Sequence, residues 1–370
     1  MGAWHPTGSL TIPRSGHSAT LLQSGEVLVY GGQPRDRDST AELFDPTSGH
    51  WTLIGGGAYP QTGGPAILLH DGRVLVVPVP PGVAELFDPA TREWSITGQL
   101  NITRSNHTAT LLPNGTVLVA AGVPQDASGP TPLASVEIYD PVTQFWTPTG
   151  DLNIARYAHT ATLLRDGRVL VVGGSAGGSN YQDTAELYDP AAGKWTLASR
   201  LPSPHAWHTA TLLRDGNVLI AGGLRTYIIS GTQKWSATDS VVRYDPATDQ
   251  WYDVGHLKTP RLYHVATLLR DGKVLVEGGQ SGNYYPQTSP SLASAEVYDP
   301  ATFAWTAIPS LSGARQFHTA TLLKATRAEE TTASSRVLVV GGYDTDVSGN
   351  TVIVDTCEIN EFEHRHVVHP

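Results

Sequence analysis

One carboxylate interrupts a strand that is apolar in the other copies of a repeated sequence. The stretch VLVEGGQ, from Val274 to Gln280, places Glu277 directly before a pair of glycines. Four similar stretches carry Tyr, Val, Ala or Val at that position, and they begin at Val27, Val169, Val218 and Val337. An acid among apolar strand residues either pairs with a cation or has its pKa raised by burial. We therefore weigh two roles for Glu277: a general acid or base, or a structural salt bridge to Arg261, Arg315 or another nearby base.

A histidine stands where most copies of the repeat have an arginine. The segments that lead into the first strand read Arg-x-x-His, but the fifth reads HAWH, from His205 to His208. Imidazole changes its charge near neutral pH and therefore suits proton transfer. We predict that Glu277 and His205 form an acid–base pair, with the hydroxyl of Tyr263 or Tyr227 orienting a bound substrate.

The same lead-in segments differ from one side of the repeat array to the other. The two residues between Arg and His are small or polar in the first three copies, whereas the last four bring the rings of Tyr157, Trp207, Tyr263 and Phe317. One-sided aromatic residues are typical of a cup for a single ligand; the alternative is that they fill gaps between neighbouring repeats. The side chains predicted to contact the ligand are Tyr157, Trp207, Tyr227, Tyr284, Phe317, Arg261 and Arg315.

The arginines and histidines of these segments also have structural interpretations. We expect Arg14, Arg104, Arg156, Arg261 and Arg315 to pair with strand glutamates, among them Glu42, Glu137, Glu186 and Glu296. The fifth copy supports this pairing because it lacks both members, having His205 and Val242 instead, and half of a buried ion pair is costly. The second copy keeps Glu85 but has Gln61. The histidines are expected to hydrogen-bond the backbone between repeats rather than converge on a metal ion.

These residues sit in a repeat of about 50 residues that contains four short strands. Strands of the HTATLL type begin at His17, Gly64, His107, His159, His208, His264 and His318. Asp-Gly or Asn-Gly follows in copies two to six and predicts a tight hairpin in which both central residues have positive φ. The double-glycine strand, a variable loop, an aromatic-Asp-Pro strand and a Trp complete each unit.

The double glycine, the aromatic-Asp-Pro and the spaced Trp make the chain similar to the kelch-repeat family, distantly including the propeller of galactose oxidase. The resemblance covers the whole chain and implies an all-β, seven-bladed β-propeller with four antiparallel strands in each blade. We expect a single domain over residues 1–370. Residues 4–10 should complete the blade formed by 315–360, because WHPTGSL at Trp4 matches WTPTGDL at Trp146.

Composition narrows the classes of partner. The formal charge of −10 argues against binding to nucleic acid, and no apolar run approaches the roughly 20 residues that span a bilayer. The first residues do not resemble a signal peptide. We expect a cytoplasmic monomer without a membrane or nucleic-acid partner.

The predicted function is the binding of a small organic molecule in the aromatic cup, with non-redox acid–base catalysis of an isomerase, lyase or cyclase type and no cofactor or metal. The alternative is a protein-interaction module that uses the same loops. A metal-dependent oxidase related to galactose oxidase is disfavoured, because that chemistry needs a cysteine cross-linked to a tyrosine and Cys357 lies in an outer-half strand. The C-terminal His364, His366 and His369 are expected to be a loose tail.

Overall fold

The computed structural model describes residues 2–33, 40–58, 63–77, 79, 82–124, 131–178, 180–229, 232–282, 289–326, 329 and 333–362. Seven four-stranded antiparallel sheets form the blades of a β-propeller. Within each blade we label the strands a to d from the axis outwards. Every strand a contacts strand a of both neighbouring blades, so the ring is closed. The expected all-β propeller is confirmed.

Each blade follows the order of the repeat. The strands of blades one to three are Ser18–Leu21, Val27–Tyr30, Thr40–Asp45 and His50–Gly55; Ala66–Leu68, Val74–Val76, Val83–Asp88 and Glu93–Gln99; and Thr108–Leu111, Val117–Ala120, Val136–Asp140 and Phe145–Pro148. Those of blades four and five are Thr160–Leu163, Val169–Val172, Ala185–Asp189 and Lys194–Leu197; and Thr209–Leu212, Val218–Ala221, Ser240–Asp245 and Gln250–His256. Blades six and seven comprise Val265–Leu268, Val274–Glu277, Ala295–Asp299 and Ala304–Ile308; and Thr319–Leu322, Ser335–Val340, Cys357–Phe362 and Trp4–Pro6.

Three further strand pairs involve the loops that follow strand b, and one of them joins such a loop to a lead-in segment. They are Arg104–Ser105 with Val123–Pro124, Leu224–Ile229 with Thr232–Ala237, and Tyr343–Thr345 with Thr351–Ile353. Single bridges join lead-in segments to these loops in other blades, for example Tyr157 to Ser175 and Leu262 to Gln280. The lead-in segments and the loops after strand b therefore share one face of the propeller, which we call the loop face.

The core is a set of apolar layers between neighbouring blades. Strand b is buried on both of its sides because it lies between two blades, which explains its continuous run of Val and Leu. The second glycine of each pair admits no side chain: a Cβ at Gly174 would lie 2.5 Å from the Tyr157 carbonyl oxygen. The described part of the chain contains no helix of the length and hydrophobicity needed to cross a membrane.

The hairpins between strands a and b form as predicted, but their turn type differs. In blade two the amide of Gly72 donates to the carbonyl of Leu69, and the amide of Leu69 donates to the carbonyl of Arg73. Gly72 has a φ of 89°, whereas Asp71 is not among the residues with positive φ. This is a three-residue loop that ends in a left-handed glycine. The aspartate is favoured there because its carboxylate accepts the amide of Arg73 at 3.0 Å.

The N-terminal strand completes blade seven as predicted. Trp4 pairs with Asn360, and the amides of Thr7 and Leu10 donate to carbonyls near the start of strand c. The Trp4 Nε1–H donates to the Pro309 carbonyl of blade six at 3.0 Å. The outer tryptophans of blades one to five make the same bond to the preceding blade at 2.6–2.9 Å; they are Trp51, Trp94, Trp146, Trp195 and Trp251.

We expect Trp4→Ala to lower the free energy of unfolding by about 3–5 kcal/mol, because it removes a buried indole from the closing strand. Trp4→Phe should cost about 1 kcal/mol, the typical net contribution of one hydrogen bond. Urea unfolding measures both effects, and Val142→Ala at an exposed turn is the control. Equal stabilities of Trp4→Ala and the native chain would contradict closure through this strand.

Candidate functional site

Five buried ion pairs anchor the lead-in segments to strand c. In each pair an arginine Nη2 donates to a glutamate Oε1 at 2.7–3.0 Å. The pairs are Arg14–Glu42, Arg104–Glu137, Arg156–Glu186, Arg261–Glu296 and Arg315–Glu358. The four glutamates named from the sequence have the predicted role, and Glu358 is a fifth.

Blade four shows how completely each pair is hydrogen-bonded. Nη1 of Arg156 donates to the carbonyls of Gly173 and Thr184, and Glu186 accepts the amides of Asn153 and Ile154. A buried ion pair contributes favourably when its remaining donors and acceptors are also satisfied. We call this arrangement the arginine clamp.

The arginine clamp keeps two of the predicted ligand contacts, Arg261 and Arg315, away from the surface. The expectation that Arg261 and Arg315 face a ligand is not met, because both guanidinium groups are buried and each is shared between a glutamate and backbone carbonyls. In each lead-in segment the second residue of the x-x dipeptide is exposed or half-buried.

Blades two and five lack the arginine and replace it differently. In blade five the His205 Nδ1–H donates to the Gly222 carbonyl at 2.8 Å, the kind of bond that Arg156 makes to Gly173, and Nε2 lies 3.2 Å from Ser203 Oγ. The His205 side chain is 0% exposed, so the expectation that it lines the cup is wrong. In blade two the Tyr30 hydroxyl reaches across from blade one and donates to Glu85 at 2.9 Å.

The lead-in histidines join neighbouring blades, but through a side chain rather than the expected backbone group. The Nε2 atoms of four of the six lie 2.8–3.0 Å from the hydroxyl of the first threonine in strand a of the preceding blade. The pairs are His17–Thr319, His159–Thr108, His208–Thr160 and His264–Thr209. Each of these histidines therefore joins two neighbouring blades, and we call the contact between two blades at this position a seam.

Glu277 occupies the corresponding seam between blades six and seven. Blade six begins with Val265 where blades three, four, five and seven have threonine, so His318 has no hydroxyl to contact. Glu277 pairs with Val265 in the strand register and turns its carboxylate toward blade seven, with Oε1 3.7 Å from His318 Nε2. Its side chain is 0% exposed. The expectation that it projects into the cup is wrong, and its catalytic role stays a prediction.

Burial also governs the protonation of this pair. It raises the pKa of Glu277 to about 8, against the opposing charges of Arg261 and Arg315. Burial, followed by the Arg315 charge, lowers the pKa of His318 well below its usual value. Both groups are therefore mainly neutral at pH 7, and neither carboxylate oxygen of Glu277 has a hydrogen-bond partner among the described residues.

The aromatic residues of the lead-in segments form a continuous arc on the loop face. Trp207 contacts Tyr157 and Tyr263 with ring centroids 6.1 and 5.8 Å apart, and Tyr263 contacts Phe317 at 4.2 Å. Phe317 stacks on Tyr343 at 5.4 Å and 20°. These rings are half-buried, and they cross blades four to seven. We call them the aromatic arc; the predicted one-sided grouping is present.

Three members of the arc have a costly backbone conformation. Trp207, Tyr263 and Phe317 have φ between 51° and 56°, in the left-handed region that favours glycine. Blades one and two place Gly16 and Gly63 at this position. Bulky residues at such positions cost of the order of 1–3 kcal/mol and tend to cluster at functional sites.

The remaining predicted residues have mixed outcomes. Tyr227 is half-buried on the hairpin of blade five, opposite Lys234, and Tyr284 lies outside the described residues. The sequence analysis missed Tyr181, whose ring is 5.9 Å from Trp207, and Tyr343. A signal for Tyr343 was present: it follows the double glycine of blade seven and bridges to Gln316.

A cavity of about 160 Å³ lies against the arc between blades six and seven. The rings of Tyr263, Phe317 and Tyr343 and the amide side chains of Gln280 and Gln316 line it, with the Thr345 and Thr351 hydroxyls at one side. No charged side chain contributes to this lining as far as the described residues show. The cavity therefore suits an uncharged group.

The described residues contain no group of three His, Cys, Asp or Glu side chains placed to hold one metal ion. Cys357 is buried in strand c of blade seven, and burial raises the pKa of its thiol to about 12. His364, His366 and His369 lie outside the described residues.

The fold and the clamps define a kelch-type propeller, and sequence comparison places the chain in that group. The profile of the KLHDC2/KLHL20/DRC7 Kelch-repeats domain matches residues 83–279, and that of the Kelch motif matches 261–312. The chain belongs to the kelch-repeat family.

Similar proteins support the fold. Two F-box/kelch-repeat proteins of Arabidopsis thaliana, At1g16250 and At1g22040, are 38% and 36% identical over 79 and 85 residues. These alignments span 21% and 23% of this chain but only 19% and 17% of the plant proteins. A fungal alcohol oxidase of the AA5 family, in complex with copper, superposes with a TM-score of 0.76 at 17% identity, covering 98% of this chain and 76% of the oxidase. YjhT superposes with a TM-score of 0.59 at 14% identity, covering 81% and 99%.

We expect Glu277→Gln to remove a pH dependence of stability. The folded-state pKa of about 8 exceeds the ordinary 4.5, so the contribution of Glu277 to stability is fully present below pH 4.5 and is lost as pH rises through 8. The free energy of unfolding of the variant, relative to that of the native chain, should increase by up to about 1.4 kcal/mol per pH unit in this window. Urea unfolding from pH 5 to 9 measures it, with surface Glu361→Gln as control. Parallel curves for Glu277→Gln and the native chain would contradict a buried, protonated Glu277.

Proposed function

We propose that this protein binds a small organic molecule in the aromatic arc on its loop face. The observation that carries the proposal is the arc itself, in which Trp207, Tyr263 and Phe317 hold left-handed backbone conformations that glycine adopts in blades one and two. Ring closure does not need these side chains, since blades one and two close without them. Their cost is offset if the rings contact a ligand.

The proposal concerns binding, and the acid–base reaction stays a prediction. Tyr263 is the one member of the predicted catalytic trio whose ring belongs to the arc, while Glu277 and His205 are buried in inter-strand contacts. A ligand in the cup meets aromatic faces, two amides and hydroxyls. These groups bind and orient an uncharged molecule.

Protein binding by the same face is a second candidate function. The hairpin of Tyr343–Thr345 and Thr351–Ile353 rises from blade seven and exposes Val347 and Val352 at 83% and 64%. Apolar side chains on a raised loop suit a protein surface. The small cavity and the half-buried rings favour the small-molecule proposal.

We expect Trp207→Gly and Phe317→Gly to bind aromatic fragments at least tenfold more weakly than the native chain while melting within a few degrees of it. Glycine relieves the left-handed strain at both positions, which offsets part of the lost packing. Ligand-observed NMR and calorimetry measure fragment affinity.

The matched control is Phe303→Gly, an exposed aromatic with a φ of 58° at the outer turn of blade six. It should keep native fragment affinity. The proposal is overturned if all three variants bind alike, or if no fragment binds the native chain.

A further inference from the structure

One polar atom beside the aromatic arc has no partner. Gln316 is 1% exposed and lines the cavity between blades six and seven. Its Oε1 accepts no hydrogen bond from the described residues. A buried acceptor without a donor is costly, and most such groups in folded proteins are satisfied.

The surrounding hydrogen bonds indicate which atom of the Gln316 amide is left without a partner. The Ser291 hydroxyl donates to the Tyr343 carbonyl at 3.4 Å and accepts the amide of Thr345 at 2.9 Å. In this arrangement Gln316 Nε2 donates to Ser291 Oγ at 3.3 Å. The oxygen of Gln316 therefore remains as the acceptor.

The other groups around the cavity indicate which further chemical features a ligand should have. Three of the lining side chains are rings, and aromatic rings favour another ring as partner. A volume of about 160 Å³ is close to the ~150 Å³ of an engineered cavity that holds one benzene ring in another protein. The described lining is uncharged, so an ionised ligand would lose its hydration without compensation.

We propose that this cavity selects an uncharged molecule with one planar ring and an O–H or N–H donor, which Gln316 Oε1 accepts. This inference rests on the proposed function of the arc and adds the chemical class of its ligand. Gln280 differs from Gln316, because its Nε2 donates to the Ser289 carbonyl and its Oε1 is not among the buried acceptors without a partner.

The test compares phenol with fluorobenzene, which has nearly the same shape but no donor, and with benzoate, which is charged. Ligand-observed NMR at up to 20 mM should show phenol binding about tenfold more tightly than fluorobenzene and no binding of benzoate. Gln316→Met, which keeps the side-chain length, should bring the phenol-to-fluorobenzene ratio close to one. Gln250→Met, at an exposed position of strand d in blade five, should retain the preference.

The outcomes separate the two proposals. Equal binding of phenol and fluorobenzene to the native chain, or an unchanged preference in Gln316→Met, overturns the role of Gln316 while the arc remains a binding site. The same conclusion holds if these probes do not bind but other fragments respond to Phe317→Gly. If no fragment binds the native chain at all, the proposed function falls and this inference falls with it. The comparison of probes on the native chain is decisive even if Gln316→Met does not fold.

Discussion

Buried polar groups near the loop face are costly when they lack a partner, and this cost shapes most of the blades. Five arginine clamps tie the lead-in segment, the end of strand b and strand c together. Four histidine–threonine contacts then tie one blade to the next. Where one member is missing, a neighbouring residue takes its place: Tyr30 reaches Glu85, His205 reaches the Gly222 carbonyl, and Glu277 fills the seam beside His318. The unusual residue in VLVEGGQ thus stands opposite Val265, which replaces threonine in the neighbouring strand.

These clamps leave the x-x dipeptide of each lead-in segment free to vary. Its second residue is held in a left-handed conformation whether it is glycine, as at Gly16, or tryptophan, as at Trp207. The fold therefore fixes the backbone conformation at this position, while the side chain differs between blades. An aromatic residue can stand there in one blade without disturbing another blade. Blades four to seven use this freedom to build the aromatic arc, and blade seven adds Gln316 and Tyr343 beside the cavity.

Patterns that repeat were the ones that could be predicted. The blade order, the closure by Trp4 and the Arg–Glu pairs follow from spacing compared across copies, and so does the one-sided placement of Trp207 and Phe317. The burial of individual side chains was not predictable. Strand alternation indicates that Glu277 points toward a neighbouring blade, but it does not indicate that the contact between the two blades covers its side chain completely. The relevant clue was the pairing of Glu277 with Val265, which becomes apparent only in the strand register. Tyr181 and Tyr343 were missed because loop residues have no repeat position that predicts their contacts.

The most direct test of this view is a double-mutant cycle at the seam between blades six and seven. Val265→Thr with Glu277→Val recreates the Thr160 and Val172 pair of blade four, which satisfies His208. Urea unfolding at pH 7 should show that Val265→Thr stabilises the Glu277→Val background by about 1 kcal/mol more than it stabilises the native chain. The double variant should also bind aromatic fragments with native affinity. Additive effects of the two substitutions, or loss of fragment binding in the folded double variant, would contradict a structural Glu277 and a ligand site carried by the arc.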